Sequence, residues 1–397
     1  MAQGGSDAES GHGGKQRGKR LRWRYSSYLR WPTFLKSSRD RTATPPVQDG
    51  RVEGNRPLPT HLVVMVNGIV GSAADWKFAA RQFVKRHPEN IMVHCSESNY
   101  STLTFHGVDV MGERLAKEVM SIVASKPFLQ KISFVGHSLG GLVARYAIGI
   151  LYENAVPKFS PQEHGACEYH PAGVESVDEK IEGQIAGLEP INFITLATPH
   201  LGLRFHKQIP ILHGSYKLEK LAYRTSWILG RSGKHQFLRD QDDGKLPLLV
   251  QMVNDCGNLQ FMSALQSFKR CVAYSNVCFD FIVGRKTSSI RRQHELPKQQ
   301  DFMKNSQYPH IVYVEKRTTF DVPKMDFLAT TKELKTINDM EDAMIDGLNR
   351  VPWERVDVSF RGSKQRFFAH STIQVKTYLI NSDGSDVIFH MIDNFLL

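Results

Sequence analysis

Strand-length apolar runs alternating with amphipathic helical stretches predict an α/β fold, with a mainly parallel sheet covered by helices on both faces. Two further observations sharpen this: a serine on a glycine-flanked strand-to-helix turn, and an acid followed by several histidines further along the chain. With 397 residues, 41% of them apolar, the chain is long enough for one large domain with insertions.

Residues 1 to 58 are rich in Gly, Arg, Ser and Pro, show no sustained periodicity and are expected to be mostly disordered. Within them Trp23, Tyr25, Tyr28 and Trp31 interleave with Arg22, Arg24 and Arg30. Two readings stay open for the basic stretch 15–41: peripheral contact with an anionic membrane, or a tail that folds back onto the domain. Residues 59–397 then form the folded domain. It opens with a buried strand at His61–Asn67, a loop at Gly68–Asp75 and a helix near Trp76–Lys85. A strand at Ile91–His94 follows, then a polar loop and a helix over Gly107–Ala124, where Val108, Met111, Leu115, Val119 and Ile122 recur at helical spacing.

The segment Lys131–Gly149 runs from a strand pattern through Gly136-His137-Ser138-Leu139-Gly140 into a helix pattern. A serine on so sharp a turn needs neighbours without bulk, which explains Gly136 and Gly140. Such a nucleophile elbow, the mark of the α/β-hydrolase fold, points Ser138 Oγ into solvent and sets the Leu139 amide beside a developing oxyanion. A second amide donor is expected from the first strand's loop, at Ile69, where Gly68 permits close approach and Asn67 supports the turn. A variable insertion at 156–189, a strand at Ile191–Ala197 and an irregular segment at 200–245 come next; the last is expected to build a cap or lid over the serine.

In α/β-hydrolase order an acid and then a histidine follow the serine. Asp280 ends a strand pattern starting at Arg270 and opens a D-x-x-V loop, so it is the expected acid; capping a turn or pairing with Arg285 is the alternative role. Four histidines lie beyond it. His294 sits among charges and should be solvated, His310 opens an apolar run at Ile311–Val314, and His390 falls inside the final helix near Val387–Leu396. His370 occupies the loop after the strand Val356–Phe360, where an imidazole can reach Ser138, and is the expected base.

The stretches HLVVMVNGIVGSAADW (61–76), TLTFHGVDVMGERLA (102–116), ISFVGHSLGGLVARYAIG (132–149), INFITLATPHLG (191–202), DFIVGRKTSSIRRQHELP (280–297) and AHSTIQVK (369–376) resemble a plant member of the eukaryotic family of lipase-like serine esterases. The likeness spans about residues 60–397. It implies an α/β-hydrolase fold and hydrolysis of lipid-like carboxylic esters through an acyl-enzyme, with Ser138, Asp280 and His370 as the triad. Lipid degradation is the corresponding process. One departure stands out: lipases of this type carry His-Gly at the first loop, whereas this chain has Asn67-Gly68. Two rival functions use the same features, a protein or acyl-CoA thioesterase with the same triad and a non-catalytic lipid-binding module.

The charge balance narrows the partners. Twelve Lys/Arg against five Asp/Glu lie in residues 1–60, so +7 of the net +11 sits there and the rest of the chain is only mildly basic. Nucleic acid is therefore not an expected partner; a lipid ester is. Five scattered cysteines give neither a disulfide framework nor C-x-x-C spacing, and His137, His200 and nearby acids lack ligand spacing, so no metal or other cofactor is expected. A reducing compartment follows, cytoplasmic with membrane association in view. The N-terminus shows no signal-peptide core, and a plastid transit peptide is the alternative address, against which Asp7 and Glu9 count.

Overall fold

The computed structural model describes residues 58–153, 183–203, 229–241, 245–316, 334 and 336–397. The basic tail up to residue 57, most of the insertion and residues 204–228 of the expected lid lie outside the described residues. No helix among the described residues is long and apolar enough to cross a membrane.

Seven strands build the main sheet: β1 (His61–Val66), β2 (Ile91–Cys95), β3 (Lys131–His137), β4 (Glu189–Leu196), β5 (Arg270–Asn276), β6 (Ile311–Glu315) and β7 (Trp353–Val358). Their order is β6-β7-β5-β4-β3-β1-β2. All neighbours run parallel except the edge strand β6, which is antiparallel to β7. This is the α/β-hydrolase fold expected from the sequence.

Among the described residues, five helices of nine residues or more flank the sheet: α1 (Lys77–Arg86), α2 (Val108–Ser125), α3 (Leu139–Leu151), α4 (Ile337–Leu348) and α5 (Ser385–Asp393). Successive strand residues point to opposite faces, so a fully buried strand feeds two cores. On β1, Leu62, Val64 and Val66 join a core with Met111 and Leu115 of α2, Leu142 of α3 and Met344 of α4. Val63 and Met65 face the other way, onto Phe83 of α1 and Val387 and Met391 of α5. That two-sided demand is why β1 reads as an unbroken apolar run rather than an alternating one.

One boundary differs from the sequence reading. The insertion assigned to 156–189 ends earlier: Gln184–Ile185 pairs with Tyr152–Glu153, and β4 already begins at Glu189. Backbone pairing across the insertion decides this, and a local reading of turn residues does not register it. Of the segment 200–245 expected to build a cap or lid, residues 200–203, 229–241 and 245 are described. His200 and Leu201 are fully buried. The short helix Gly230–Gln236 is held at the start of α2, where Ser232 Oγ accepts from Gly107 N at 3.0 Å and His235 Nδ1 accepts from Val108 N at 3.1 Å. Two orphan amides of the α2 N-terminus are thereby satisfied.

Three histidines are part of the cores. His61 pairs with Ser133 Oγ at 2.8 Å, His200 with Thr195 Oγ1 at 3.0 Å and His390 with Tyr274 Oη at 2.9 Å. Burial pushes His61 and His390 down to about 4, and His200 well below the usual imidazole range. Each therefore stays neutral in the folded chain, while its unfolded counterpart protonates below about 6.5. Their contribution is complete above that pH and is lost as pH falls toward the folded values. Unfolding free energy measured by denaturant titration should be flat near pH 7 to 8. It should then fall below pH 6 with about four to five protons taken up on unfolding, because burial lowers His137 and His235 as well, about 1.4 kcal/mol per pH unit for each.

Candidate active site

β3 passes into α3 through one residue, Ser138, with φ 54° and ψ −128°. The turn is held by Ser138 N donating to the Leu196 carbonyl at 2.9 Å and Gly141 N donating to the Ser138 carbonyl at 3.2 Å. Glycine at 140 is demanded by its neighbours, because a Cβ there would collide with the Val66 and Asn67 carbonyl oxygens at the end of β1. A Cβ at Gly136 would likewise stand 2.6 Å from Gly141 Cα. The helix N-terminus therefore sits directly on the sheet's carboxyl edge, and the Leu139 amide emerges there.

Sequence reasoning places the serine in open solvent; Ser138 is instead only 4% exposed. The reason is crowding. A Cβ on Gly68 would lie 2.9 Å from Ser138 Cβ, so the first loop packs against the serine, and His370 covers its hydroxyl.

The structure brings the three expected residues into one hydrogen-bonded row. Ser138 Oγ and His370 Nε2 are 3.0 Å apart, and His370 Nδ1 lies 3.0 Å from Asp280 Oδ2. The acidic oxygen fixes the tautomer: Nδ1–H donates to the carboxylate, leaving Nε2 to accept from the serine hydroxyl. Asp280 is held in turn by four donors. Its Oδ1 accepts from Ile282 N at 3.0 Å and Val283 N at 2.9 Å, and its Oδ2 also accepts from Asn276 Nδ2 at 2.9 Å. Burial raises the Asp280 carboxyl, but the His370 ring and the hydrogen bonds from Val283 and Asn276 outweigh it and hold the group below the ordinary aspartate value. The turn-capping alternative is thus true of one oxygen while the other faces the imidazole. Arg285 pairs with Asp357 instead.

His370 stands on the short helix Ala369–Thr372 in the loop after β7. Its backbone is clamped by His137, the residue before the serine: His137 Nε2–H donates to the His370 carbonyl at 2.6 Å, with ring centroids 4.8 Å apart. Burial, helped by the positive potential of His370, keeps His137 neutral. This clamp escapes sequence reasoning because it requires residue 370 to return to the elbow. The other histidine candidates are occupied elsewhere: His310 bonds Asp386 at 2.9 Å, His390 packs on Tyr274, and His294 is exposed.

The first loop has its own bracing. Asn67 Nδ2 donates to the Gly68 carbonyl at 3.1 Å and to the Asn99 carbonyl at 2.9 Å, and Gly71 N donates to the same Gly68 oxygen at 3.0 Å. Since a peptide is planar, fixing that oxygen also fixes the Ile69 N–H, one residue from the contact with Ser138. Asn67 thus braces the first loop through its side-chain amide. Among the described residues, no three His, Cys, Asp or Glu side chains are grouped to hold a metal ion.

With this geometry in view, the relatives fall into place. A model of the family described as "Putative serine esterase (DUF676)" matches residues 56–290, and the chain belongs to that family. The matched region contains Ser138 and Asp280, and His370 lies beyond its end. "Putative lipase C4A8.10" of Schizosaccharomyces pombe is 29% identical over 241 residues, covering 58% of this chain and 26% of that protein. "Putative lipase ROG1" of Saccharomyces cerevisiae is 30% identical over 235 residues, covering 58% and 28%. The chain thus spans about a quarter of the length of these curated relatives. Among solved structures, carboxyl esterase 2 from the fungus Tuber melanosporum aligns over 84% of this chain and 80% of its own, with 9% identity and a TM-score of 0.34.

Replacing Gly140 by Ala should unseat the elbow from the end of β1. The expected result is a lower thermal midpoint and a Ser138 that no longer reacts with an organophosphonate, read by calorimetry and intact mass.

Proposed function

We propose that the chain hydrolyses carboxylic esters of lipid-like substrates, with Ser138 as nucleophile, His370 as general base and Asp280 as its orienting carboxylate. The observation that carries this reading is the pair of 3.0 Å contacts linking Ser138 Oγ, His370 and Asp280 Oδ2. As Ser138 Oγ bonds the ester carbonyl carbon, its proton passes to His370 Nε2, and Asp280 stabilises the resulting imidazolium. The carbonyl oxygen becomes an oxyanion next to the Leu139 and Ile69 amides, aided by the N-terminal end of the 13-residue helix α3. Collapse breaks the ester C–O bond, and the departing alkoxide takes the proton back from His370. Water then repeats the sequence on the acyl-enzyme, with His370 as base, releasing the fatty acid and restoring the Ser138 hydroxyl.

The lipid-like substrate class rests on the relatives, whose names describe them as putative lipases. His137 acts in this scheme as a positioning residue through the His370 backbone, and Asn67 through the Gly68–Ile69 peptide.

A fluorophosphonate probe should label the wild-type chain and fail on Ser138→Ala; an unlabelled wild type would sink the esterase reading. Asp280→Asn should leave the fold intact and lower kcat on a soluble short-chain ester by on the order of 10³- to 10⁴-fold, because the imidazole loses its enforced tautomer. Asn67→Ala should lower kcat by about tenfold or more with little change in KM, since it loosens a donor that acts mainly on the oxyanion.

A further inference from the structure

The loop that follows β7 carries more than His370. From Ser359 to Asn381 it contains four cations, Arg361, Lys364, Arg366 and Lys376, and no Asp or Glu. Five of its large apolar side chains are turned outward, while Phe360 and Ile373 are buried: Phe367 and Phe368 are 55% and 58% exposed, and Leu379 is 90% exposed between the exposed Tyr378 and Ile380. Phe367 is not a loose end, because its ring stacks on Phe281 with centroids 6.4 Å apart, and the Arg366 guanidinium lies 4.8 Å over it. Fixed outward aromatics beside arginines are costly in water unless something covers them.

The same loop meets α1. Tyr378 stacks on Phe78 at 5.1 Å, and between the loop and the helix lies an open cleft of about 570 Å³ lined in part by Lys77, Phe78, Arg81, Val375, Lys376 and Tyr378. Helix α1 contains no acid, and its Lys77, Arg81 and Lys85 recur every four residues as one exposed stripe. One carboxylate borders the cleft, Asp75, which pairs with Lys376 at 3.1 Å. On the neighbouring α5, Asp393 is bound by Arg86 and Tyr308, and Asp386 by His310. Among the described residues no carboxylate pairs with Lys77 or Arg81, which stand around an aromatic floor next to outward aliphatic residues.

We propose that this face docks the chain on an anionic lipid bilayer, with Lys77 and Arg81 against phosphate headgroups and Leu379, Ile380, Phe367 and Phe368 entering the interface. Cations beside outward aromatic and aliphatic groups, with Asp75 engaged by Lys376 and Asp383 by Ser363, match the charge and layering of such a surface. Docking deepens the esterase reading, because the inserted loop is the one that carries His370, and an ester held in the bilayer would arrive at the sheet edge where Ser138 lies. It is independent of residues 15–41, which lie on a different segment of the chain.

Vesicle sedimentation of the full chain carrying Ser138→Ala tests this without consuming lipid. Vesicles of phosphatidylcholine with phosphatidylserine should bind it, and phosphatidylcholine alone should bind it far less. Adding either Lys77→Glu with Arg81→Glu, or Leu379→Ser with Ile380→Ser, should lower the partition coefficient by about tenfold or more with unchanged thermal midpoints. The N-terminal tail is the same in every variant, so its own attraction to vesicles cancels. Unaltered partitioning in both pairs overturns the proposal. As a second measurement, a tryptophan added by Leu379→Trp should be quenched by brominated phospholipids; no added quenching, or an emission already blue-shifted without vesicles because another part of the chain covers the site, also overturns it. Failure of wild-type Ser138 to react with fluorophosphonate would remove the esterase reading and leave this binding result untouched.

Discussion

One backbone constraint governs the site: Ser138 is held at a positive φ that a residue with a Cβ adopts at a cost of about 1 to 3 kcal/mol. The cost is met by packing. Helix α3 cannot shift away without breaking the contact of Gly140 with the end of β1, and the Ser138 amide is tied to β4 through the Leu196 carbonyl. Strain of this kind recurs around the same edge. Val70 after β1, Ser101 after β2, Ala197 after β4 and Phe279 after β5 all have positive φ. Positive φ is especially unfavourable for the β-branched Val70, whose amide is fixed by Thr104 Oγ1 at 2.9 Å. The carboxyl edge of the sheet is thus where the fold concentrates its unfavourable backbone, with a rigid parallel sheet beneath to sustain it.

The other two members of the row are brought to Ser138 by sheet order. Asp280 follows β5 and His370 follows β7, adjacent strands two and three positions from the elbow strand, so their loops reach the same edge. A buried charge network locks these two connections together. Asp357 of β7 accepts from Arg285 and Arg291, both on the chain just past Asp280, and from Ser275 of β5. Breaking one partner of such a buried set leaves an uncompensated charge, worth several kcal/mol, so the register between acid loop and histidine loop is well determined.

Much of this was legible in the sequence because it is local. The elbow is a five-residue pattern, the strands around it are unbroken apolar runs, and Asp280 and His370 follow in the order that the fold dictates. What escaped depends on chain segments far apart. The burial of Ser138 comes from Gly68, the clamp on His370 from His137, and the antiparallel placement of β6 from its pairing with β7. Helix α4 did carry a readable signal: Thr336 accepts from Asp339 N in a capping box, followed by Ile337, Met340, Met344 and Leu348 at helical spacing. The outward side chains of the loop after β7 could not be separated by pattern from core residues, since Phe367 and Phe368 look no different in sequence from the buried Phe360.

The central claim is that an acyl group passes through Ser138. Its most direct test is to quench the chain during turnover of an activated ester and map the modified peptide by mass spectrometry. One acyl group on Ser138, accumulating in wild type and absent in His370→Ala, is the predicted result. Ester turnover with no adduct at Ser138, or with the acyl group on another side chain, would contradict the account.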